Sequence, residues 1–425
     1  MLENSRSCNM IRVVVVDGFS SGKFVAERLK EAGCVLMHVA SSAALDHTFY
    51  NGFDHSVYDQ MIVNTELATT QASVERFLAQ FIIAGAESGV LLADALNECL
   101  RLPYCNDFAK SLARRNKYDM IQCITHGQLP APRQFIAGTW ALAQAWIKLH
   151  RCFPVVIKPL ESTGCDGVFI CDDLHDCESA VGKLLGTTNR LNIPNTQVLI
   201  QEYLAGLEYG VNMVSFDGRG VVTEVVRHQK QRTRTGEIVY DIDELISAES
   251  AVYAILVDYT QAVLRCLGIR NGPSHAEVMF TEEGPKLVEI SVCTDNKLRP
   301  GVSRQTTGLG QIDAVALSIT SPDVFAQLVT KPFDYRLLQH TYTVSLINRI
   351  PGRFDKALFL TELLKLESFF DVIFDVEDGQ RIDITQAVRN QPGTVYLVHA
   401  DPAVIAADYR RIRILEVQGV YLAAD

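Results

Sequence analysis

The hydrophobic pattern begins with a run of mostly β-branched residues at 11–16, which is typical of a buried parallel strand. A turn of glycine and serine follows at 17–22, and apolar residues then recur with helical spacing from Lys23 to Ala32. Strand, turn and helix in this order predict a Rossmann-like α/β domain. The turn could hold an anion at the helix start, but its spacing fits neither dinucleotide nor P-loop motifs, and a tight connection is the simpler interpretation.

The pattern changes twice along the chain and so predicts three domains. Alternating or β-branched stretches characterise the middle part, at 153–158, 197–204, 210–216, 220–227, 274–280 and 286–292. Breaks fall near 103–107 and at Lys331-Pro332. We expect a Rossmann-like α/β domain over 1–105, a larger α+β domain over 106–330 and a small mixed α/β domain over 331–425.

Two alternating arms around a turn predict a β-hairpin at 274–292. If the turn is centred on Glu283, Glu277 lies directly opposite Glu289. Opposed carboxylates repel each other unless a divalent cation lies between them, and two hard oxygen ligands suit Mg²⁺ held partly by substrate phosphates. The alternative is two glutamates on a solvent-exposed face. The apolar residues expected on the opposite face are Val278, Phe280, Val288 and Ile290.

Two other segments bring together groups that suit a polyphosphate. Lys158 ends an apolar strand, and the small residues of 161–167 follow, whose backbone N–H groups can close over phosphate oxygens. The segment Arg227–Arg234 holds five potential cations in eight residues. Each has a plainer alternative, namely a solvated lysine before a hairpin loop and a solvated charged loop.

Composition excludes several classes of partner. The 425 residues include 39 Lys and Arg against 50 Asp and Glu, a net charge of −11 that gives no general attraction to nucleic acid or anionic membrane. The 11 cysteines include no C-x-x-C pair, which favours reduced thiols in a cytoplasmic protein. No apolar run reaches the ~18 residues of a membrane span. We therefore expect cytoplasmic localisation and neither a nucleic acid nor a membrane partner.

Three segments in this order resemble the ATP-grasp fold. They are Lys158 with its small-residue loop, the stretch LIQEYLAGLE at 199–208, and the hairpin with its two glutamates. The resemblance covers about 106–330, with a lid subdomain at about 151–206. It implies ATP and Mg²⁺ as cofactors, with Mn²⁺ able to substitute.

The resemblance also implies which residues contact ATP. In that family pattern Glu202 and Leu204 would meet the adenine, Leu204 through its backbone, and Glu208 would bind the ribose hydroxyls. The full expected set is Lys117, Lys158, Ser162, Thr163, Gly164, Gly167, Glu202, Tyr203, Leu204 and Glu208.

The metal and catalytic groups are implied in the same way, with one departure. Ser291 and Cys293 stand where the family usually has asparagine and arginine. We therefore expect Asn296 to complete the metal shell, and Arg299 or Arg304 to replace the missing arginine. The implied metal ligands are Glu277, Glu289 and Asn296, and the implied catalytic residues are His228, Lys230, Arg299 and Arg304.

Within this fold, GAESGV at 85–90, followed by Ala93-Asp94 and Leu102-Pro103, resembles the bacterial L-amino acid ligases. The resemblance implies an ATP-dependent ligase that joins two amino acids through an acyl phosphate and releases a dipeptide, ADP and phosphate. We expect small-molecule amino acid substrates and a homodimer. The alternatives are another ATP-grasp enzyme, such as a biotin-dependent carboxylase subunit or a purine-pathway ligase, and a non-catalytic nucleotide-binding protein. Ser291 and Cys293 favour the last of these.

Overall fold

The computed structural model describes residues 10–45, 47–50, 52–150, 153–162, 166–233, 237–297, 299–330 and 335–423. Thr163 and Gly164, expected to contact ATP, lie outside the described residues, and so does the predicted boundary at Lys331-Pro332.

The N-terminal part is a four-stranded parallel sheet in the order β3-β2-β1-β4. Its strands are β1 Arg12–Val16, β2 Val35–Ala40, β3 Gln60–Val63 and β4 Phe81–Ala84, and its helices are α1 Gly22–Glu31, α2 Leu67–Phe77 and α3 Val90–Leu100. The α/β prediction is confirmed. A Cβ atom on Gly22 would lie 2.4 Å from the carbonyl oxygen of Gly85, so the glycine-serine turn is a close-packed connection between strand and helix.

A second four-stranded sheet is antiparallel, in the order β5-β8-β6-β7. Its strands are β5 Gln134–Ala137, β6 Val155–Pro159, β7 Phe169–Cys171 and β8 Val198–Glu202. Helix α4, Lys117–His126, precedes it, and α5 Trp140–His150 and α6 Leu174–Leu184 belong to it. Its own apolar core includes Val155, Ile157 and Ile200, all fully buried.

The largest sheet has eight strands in the order β13-β12-β9-β10-β11-β14-β18-β16. Its first five strands in the chain are β9 Leu207–Phe216, β10 Arg219–Arg232, β11 Ile238–Leu245, β12 Gly272–Thr281 and β13 Gly284–Ser291. The later three are β14 His340–Ser345, β16 Phe369–Phe374 and β18 Gly393–His399. The segment after residue 330 thus continues the sheet of the middle part. The predicted division into three domains stays a prediction.

The remaining elements cover this large sheet or follow it. The helices are α7 Tyr253–Cys266, α8 Pro300–Thr306, α9 Gln311–Thr320, α10 Pro322–Thr330, α11 Lys356–Leu363 and α12 Pro402–Gln418. Strand β15, Gly352–Arg353, pairs with β17, Arg381–Ile382. Among the helices that the structure describes, none has the length and apolarity of a membrane span.

The β12–β13 hairpin has the predicted register around the two glutamates, because Glu277 pairs with Glu289. A bulge then shifts the ladder, and Val278 pairs with Leu287. Leu287 is fully buried in the core, while Val288 lines a cavity on the other face. The prediction that Val288 points to the apolar face is therefore wrong, because the bulge inserts one extra residue into β13.

Candidate active site

A cavity of about 770 Å³ lies between the second sheet and one face of the eight-stranded sheet. Strands β6, β7 and β8 supply one wall, and β9 to β13 supply the other. Most of the residues predicted from the sequence meet here. They are Lys117, Lys158, Ser162, Gly167, Glu202, Tyr203, Leu204, Glu208, His228, Lys230, Glu277 and Glu289.

The two opposed glutamates lie on the cavity face with a lysine against one of them. Lys117 begins α4 and is buried, and its Nζ lies 2.7 Å from Oε2 of Glu289. The same nitrogen donates to the carbonyl oxygen of Ser162 at 3.3 Å. Burial alone would lower the pKa of Lys117, but the charges of Glu289 and Glu87 outweigh it and raise that pKa above its ordinary value. Lys117 is therefore a permanent cation.

Glu277 has cationic neighbours of its own. Burial would raise the pKa of Glu277, but the charges of Lys230 and His275 hold it well below its ordinary value. His275 Nε2 lies 3.8 Å from Glu277 Oε1, and its Nδ1 lies 3.8 Å from Asp295 Oδ2. Burial would lower the pKa of His275, yet Asp295 and Glu277 raise it to about 9. Glu277 is thus ionised and His275 is charged at neutral pH.

Two further charged groups of the large cavity, Lys230 and Glu202, are also paired. Lys230 Nζ lies 2.6 Å from Glu208 Oε1. Glu202 contacts Arg133 at 2.7 Å and Lys286 at 3.4 Å. These pairs place the side chains that the sequence assigned to ATP on both walls.

A second, smaller cavity of about 40 Å³ shares His228 with the large one. Its lining comes from β10, β11, β14, β18, α8 and the segment before α8. Among the described residues, three buried atoms on this lining have no hydrogen-bond partner, namely Glu224 Oε2, His228 Nε2 and Arg299 Nε. Burial raises the pKa of Glu224 to about 7.

A hydrogen-bonded chain of polar side chains runs between the two cavities. His228 Nδ1 lies 2.7 Å from Asp243 Oδ1, and Lys297 Nζ lies 2.6 Å from Asp243 Oδ2. The Lys297 ammonium also lies 3.3 Å from the centre of the Tyr240 ring, which lines the large cavity. Burial would raise the pKa of Asp243, but Lys297 and His228 hold it well below its usual range.

The two arginines proposed for the missing cation lie in different places. Arg299 lines the small cavity, with its guanidinium 5.0 Å from the Phe24 ring centre and 5.9 Å from that of Tyr396. Arg304 is half exposed and makes two hydrogen bonds to Asp313, at 2.8 and 3.0 Å. Its side chain is not among those lining either cavity. The geometry therefore favours Arg299 over Arg304.

Asn296, expected as a third metal ligand, is turned towards the N-terminal sheet. Its Oδ1 accepts hydrogen bonds from the hydroxyls of Ser20 at 2.9 Å and Ser21 at 3.3 Å. It is not on the lining of the cavity that holds the two glutamates. The structure thus does not bring Asn296 to them, because the serines of the glycine-serine turn hold its amide oxygen. In the described ranges no group of three His, Cys, Asp or Glu residues could hold a metal ion.

Comparison with known sequences places the chain in a family. The ATP-grasp domain family matches residues 151–296. Dapdiamide A synthase from Enterobacter agglomerans is 31% identical over 413 residues, which are 96% of this chain and 97% of that protein. The chain belongs to the ATP-grasp ligases.

Solved structures of low sequence identity share the fold of this ATP-grasp ligase. An L-amino acid ligase from Bacillus licheniformis has a TM-score of 0.74 at 16% identity, and the match covers 95% of this chain and 97% of that one. A biotin carboxylase domain from Hydrogenobacter thermophilus, solved with MgADP, ADP and bicarbonate, has a TM-score of 0.63 at 12% identity. That match covers 95% of this chain and 89% of the other.

Several residues of this ATP-grasp ligase near the cavities were not anticipated from the sequence. Glu87 accepts a hydrogen bond of 2.7 Å from Ser291 Oγ and pairs with Arg115. Glu87 therefore contacts Ser291, the residue at the position where the family usually has asparagine. Glu224 lies in a buried stretch of β10 between Val222 and Val225, and Asp243 follows the buried Ile242 in β11. A carboxylate in a buried stretch of strand is the sequence signal that could have identified these two residues, because a buried charge needs a partner.

Proposed function

We propose that this ATP-grasp ligase uses ATP to join the carboxylate of one amino acid to the amine of another, giving a dipeptide, ADP and phosphate. The observation that carries the proposal is the pair Glu277 and Glu289, with Lys117 beside them, on the wall of a large cavity. The relatives named dapdiamide A synthase and L-amino acid ligase support the same reaction class.

The cavity has the two kinds of surface that a nucleotide needs. Apolar side chains from both walls, including Val156, Met279 and Val288, suit the flat faces of a purine. Lys117 and Lys158 offer ammonium groups to phosphate oxygens. Within this site we assign Glu202 and the Leu204 backbone to the adenine, and Glu208 to the ribose. Ser162 and Gly167 belong to the phosphate end.

The two opposed glutamates fit Mg²⁺, with Mn²⁺ as a substitute. Mg²⁺ prefers hard oxygen ligands and is usually held by one or two carboxylates together with substrate phosphates and water. Glu277 is ionised, and Lys117 holds Glu289 in place. A bound ion would neutralise charge on the phosphates during transfer.

The chain itself mainly positions reactants and balances their charge. A substrate carboxylate attacks the γ-phosphate to give an acyl phosphate, and an amine then displaces the phosphate. Arg299 has an unpartnered Nε among the described residues and lines the small cavity, so we assign it to the substrate carboxylate and the acyl phosphate. His228 lines both cavities and Lys230 lines the large one, so we assign both to the groups that react there.

The proposal is tested by phosphate release from ATP and Mg²⁺ with pairs of amino acids, followed by mass spectrometry of the product. We expect release that depends on both amino acids, and a dipeptide in equal amount. Release that requires bicarbonate would instead indicate a carboxylase. Binding of ATP without release under any pair would indicate a non-catalytic protein. The homodimer is tested separately by light scattering.

A further inference from the structure

We propose that His228 and Asp243 form the proton-accepting pair for the amine substrate. The inference rests on the proposed ligase function, and it assigns a specific step to a side chain that both cavities share. It requires a nitrogen that is oriented, open to the reactants and buried from bulk water.

The pair is built into the sheet register. Strands β10 and β11 are neighbours, and His228 lies directly opposite Asp243 in their ladder. Both side chains are about 95% buried, with exposed fractions of 4% and 5%. Their contact of 2.7 Å joins Nδ1 to Oδ1. Because Asp243 is ionised, the Nδ1–H group donates to it, and this fixes the ring orientation.

The second ring nitrogen is left available. Nε2 of His228 is buried and has no hydrogen-bond partner among the residues that the structure describes. It leans over Gly210 of β9, where a Cβ atom would lie only 2.8 Å away. Glycine at this position therefore leaves the space that the imidazole uses.

The surrounding charges set the environment of this nitrogen. Its ring lies 6.4 Å from that of His275 on β12. Lys297 neutralises Asp243 from the opposite side. The charged or titratable groups near His228 include Glu208 on β9, Lys230 on β10, Tyr240 and Asp243 on β11, His275 and Glu277 on β12, and Lys297 before α8.

The chemistry explains why such a pair is needed in only one of the two steps. The substrate carboxylate is already ionised when it attacks the γ-phosphate, so it has no proton to lose. An amine is largely protonated at neutral pH. As its nitrogen forms the C–N bond, the C–O bond to phosphate breaks and phosphate leaves with the electron pair. Before the attack, one proton of the ammonium passes to Nε2, while Nδ1–H stays hydrogen-bonded to Asp243. The second N–H proton leaves with the phosphate, and the imidazolium later releases its proton to water.

Hydroxylamine separates the two steps, because it is a neutral nucleophile at pH 7 and traps an acyl phosphate as a hydroxamate without a base. We expect His228→Asn to keep hydroxamate formation within threefold of wild type, with ATP, Mg²⁺ and the activated amino acid. Dipeptide formation should fall about 10²- to 10⁴-fold, the usual size of a general-base contribution. His126→Asn, an exposed histidine at the end of α4, is the matched control and should change neither rate.

Asp243 is a positioning residue in this proposal, and Gly210 provides the space, so each has its own test. Asp243→Asn and Gly210→Ala should show the same split between hydroxamate and dipeptide. In all three variants the residual dipeptide rate should rise about tenfold per pH unit from 7 to 9, since more amine is neutral. A purely structural role would leave the pH profile parallel to that of wild type.

Three other results of these assays would contradict the proposal or the ligase function on which it rests. Equal loss of hydroxamate and dipeptide in His228→Asn, with the thermal unfolding temperature unchanged, would place His228 at the phosphate and overturn the proposal. If that variant unfolds, Gly210→Ala decides by the same two rates. Retention of both rates would also overturn it. If the wild-type protein itself makes no hydroxamate, the proposed ligase function fails first.

Discussion

The two cavities differ in how their charges are satisfied. In the large cavity Lys117 and Lys230 each have a carboxylate partner, on Glu289 and Glu208. The lining of the small cavity instead has buried atoms without partners among the described residues, on Glu224, His228 and Arg299. A buried polar atom without a partner costs about 1–3 kcal/mol. The small cavity therefore retains a cost that a bound substrate group can remove.

This difference predicts different kinds of mutational response. The charges of the paired groups in the large cavity largely cancel. A ligand that binds one of these groups must replace its present partner. Removing one member leaves the other buried and uncompensated. The unpartnered groups that the structure describes in the small cavity are not coupled to one another by ion pairs. Each substitution there should therefore change a single property, either the rate of one reaction step or the stability at one pH. Four substitutions test this contrast.

The largest effect is expected at the paired glutamates. Glu289→Gln should reduce amino-acid-dependent phosphate release at least about 10³-fold, because it removes a metal ligand and the partner of Lys117. The fold should persist, since the substitution also removes repulsion from Glu277. Thermal unfolding and steady-state phosphate release measure both. Glu283→Gln, on the exposed hairpin turn, is the control. A wild-type rate for Glu289→Gln would exclude the metal assignment.

A smaller but still large effect is expected at the small cavity. Arg299→Ala should slow phosphate release by about two orders of magnitude, or ~2.7 kcal/mol, the size typical of one transition-state contact. Arg304→Ala should stay within a few fold, because Arg304 is held by Asp313 on the half-exposed surface of α8. Steady-state kinetics with both amino acids compare the two. Equal effects of the two substitutions would contradict the assignment of Arg299, and not Arg304, to the substrate carboxylate.

Glu224 should affect stability in a pH-dependent way. Burial raises its pKa in the folded protein to about 7, from an ordinary value of 4.5. The folded state therefore binds the proton more tightly, and its stability falls as pH rises from about 4.5 to 7 and stays lower above that. Glu224→Gln removes this loss, by at most ~3 kcal/mol. We expect a higher unfolding temperature than wild type at pH 8 and no gain at pH 4.5. A gain that is equal at both values would contradict the argument.

The smallest effect is expected at the rim of the large cavity. Arg232 pairs with Asp172 at 2.7 Å across its two walls, but both side chains are about half exposed. Exposed ion pairs contribute little and are screened by salt. Asp172→Asn should change the KM for ATP by less than threefold, and the change should vanish at high salt. A tenfold increase would mean that this pair holds the two walls together.

The sequence predicted the parts of the site that depend on local periodicity. The register of Glu277 and Glu289 follows from two alternating arms and a short turn, and the structure confirms it. The bulge at Val288 was not predictable in the same way, because it depends on Leu287 reaching a core built by distant elements. Alternation of apolar and polar residues predicts which face of the sheet each side chain occupies only as long as no extra residue is inserted into the strand.

The position of the segment after β13 could not be predicted from the sequence. Residues 292–299 have no regular alternation, and their position depends on partners far away in the chain. Ser21 donates to the carbonyl oxygen of Thr294 at 2.9 Å, and Ser20 to Asn296, across more than 270 residues of sequence. Asn296 was assigned to the metal because its amide suits that role chemically. Only the fold reveals that these serines hold it instead.

The continuous eight-stranded sheet has a consequence for the C-terminal segment. Strand β11 is bonded on one side to β10 and on the other to β14, and Thr341, Thr343 and Tyr396 of the later strands close the small cavity. Deleting the chain after residue 335 would turn β11 into an open edge with unpaired N–H and C=O groups, which invites pairing with other molecules. The C-terminal segment thus both lines the small cavity and covers the edge of β11.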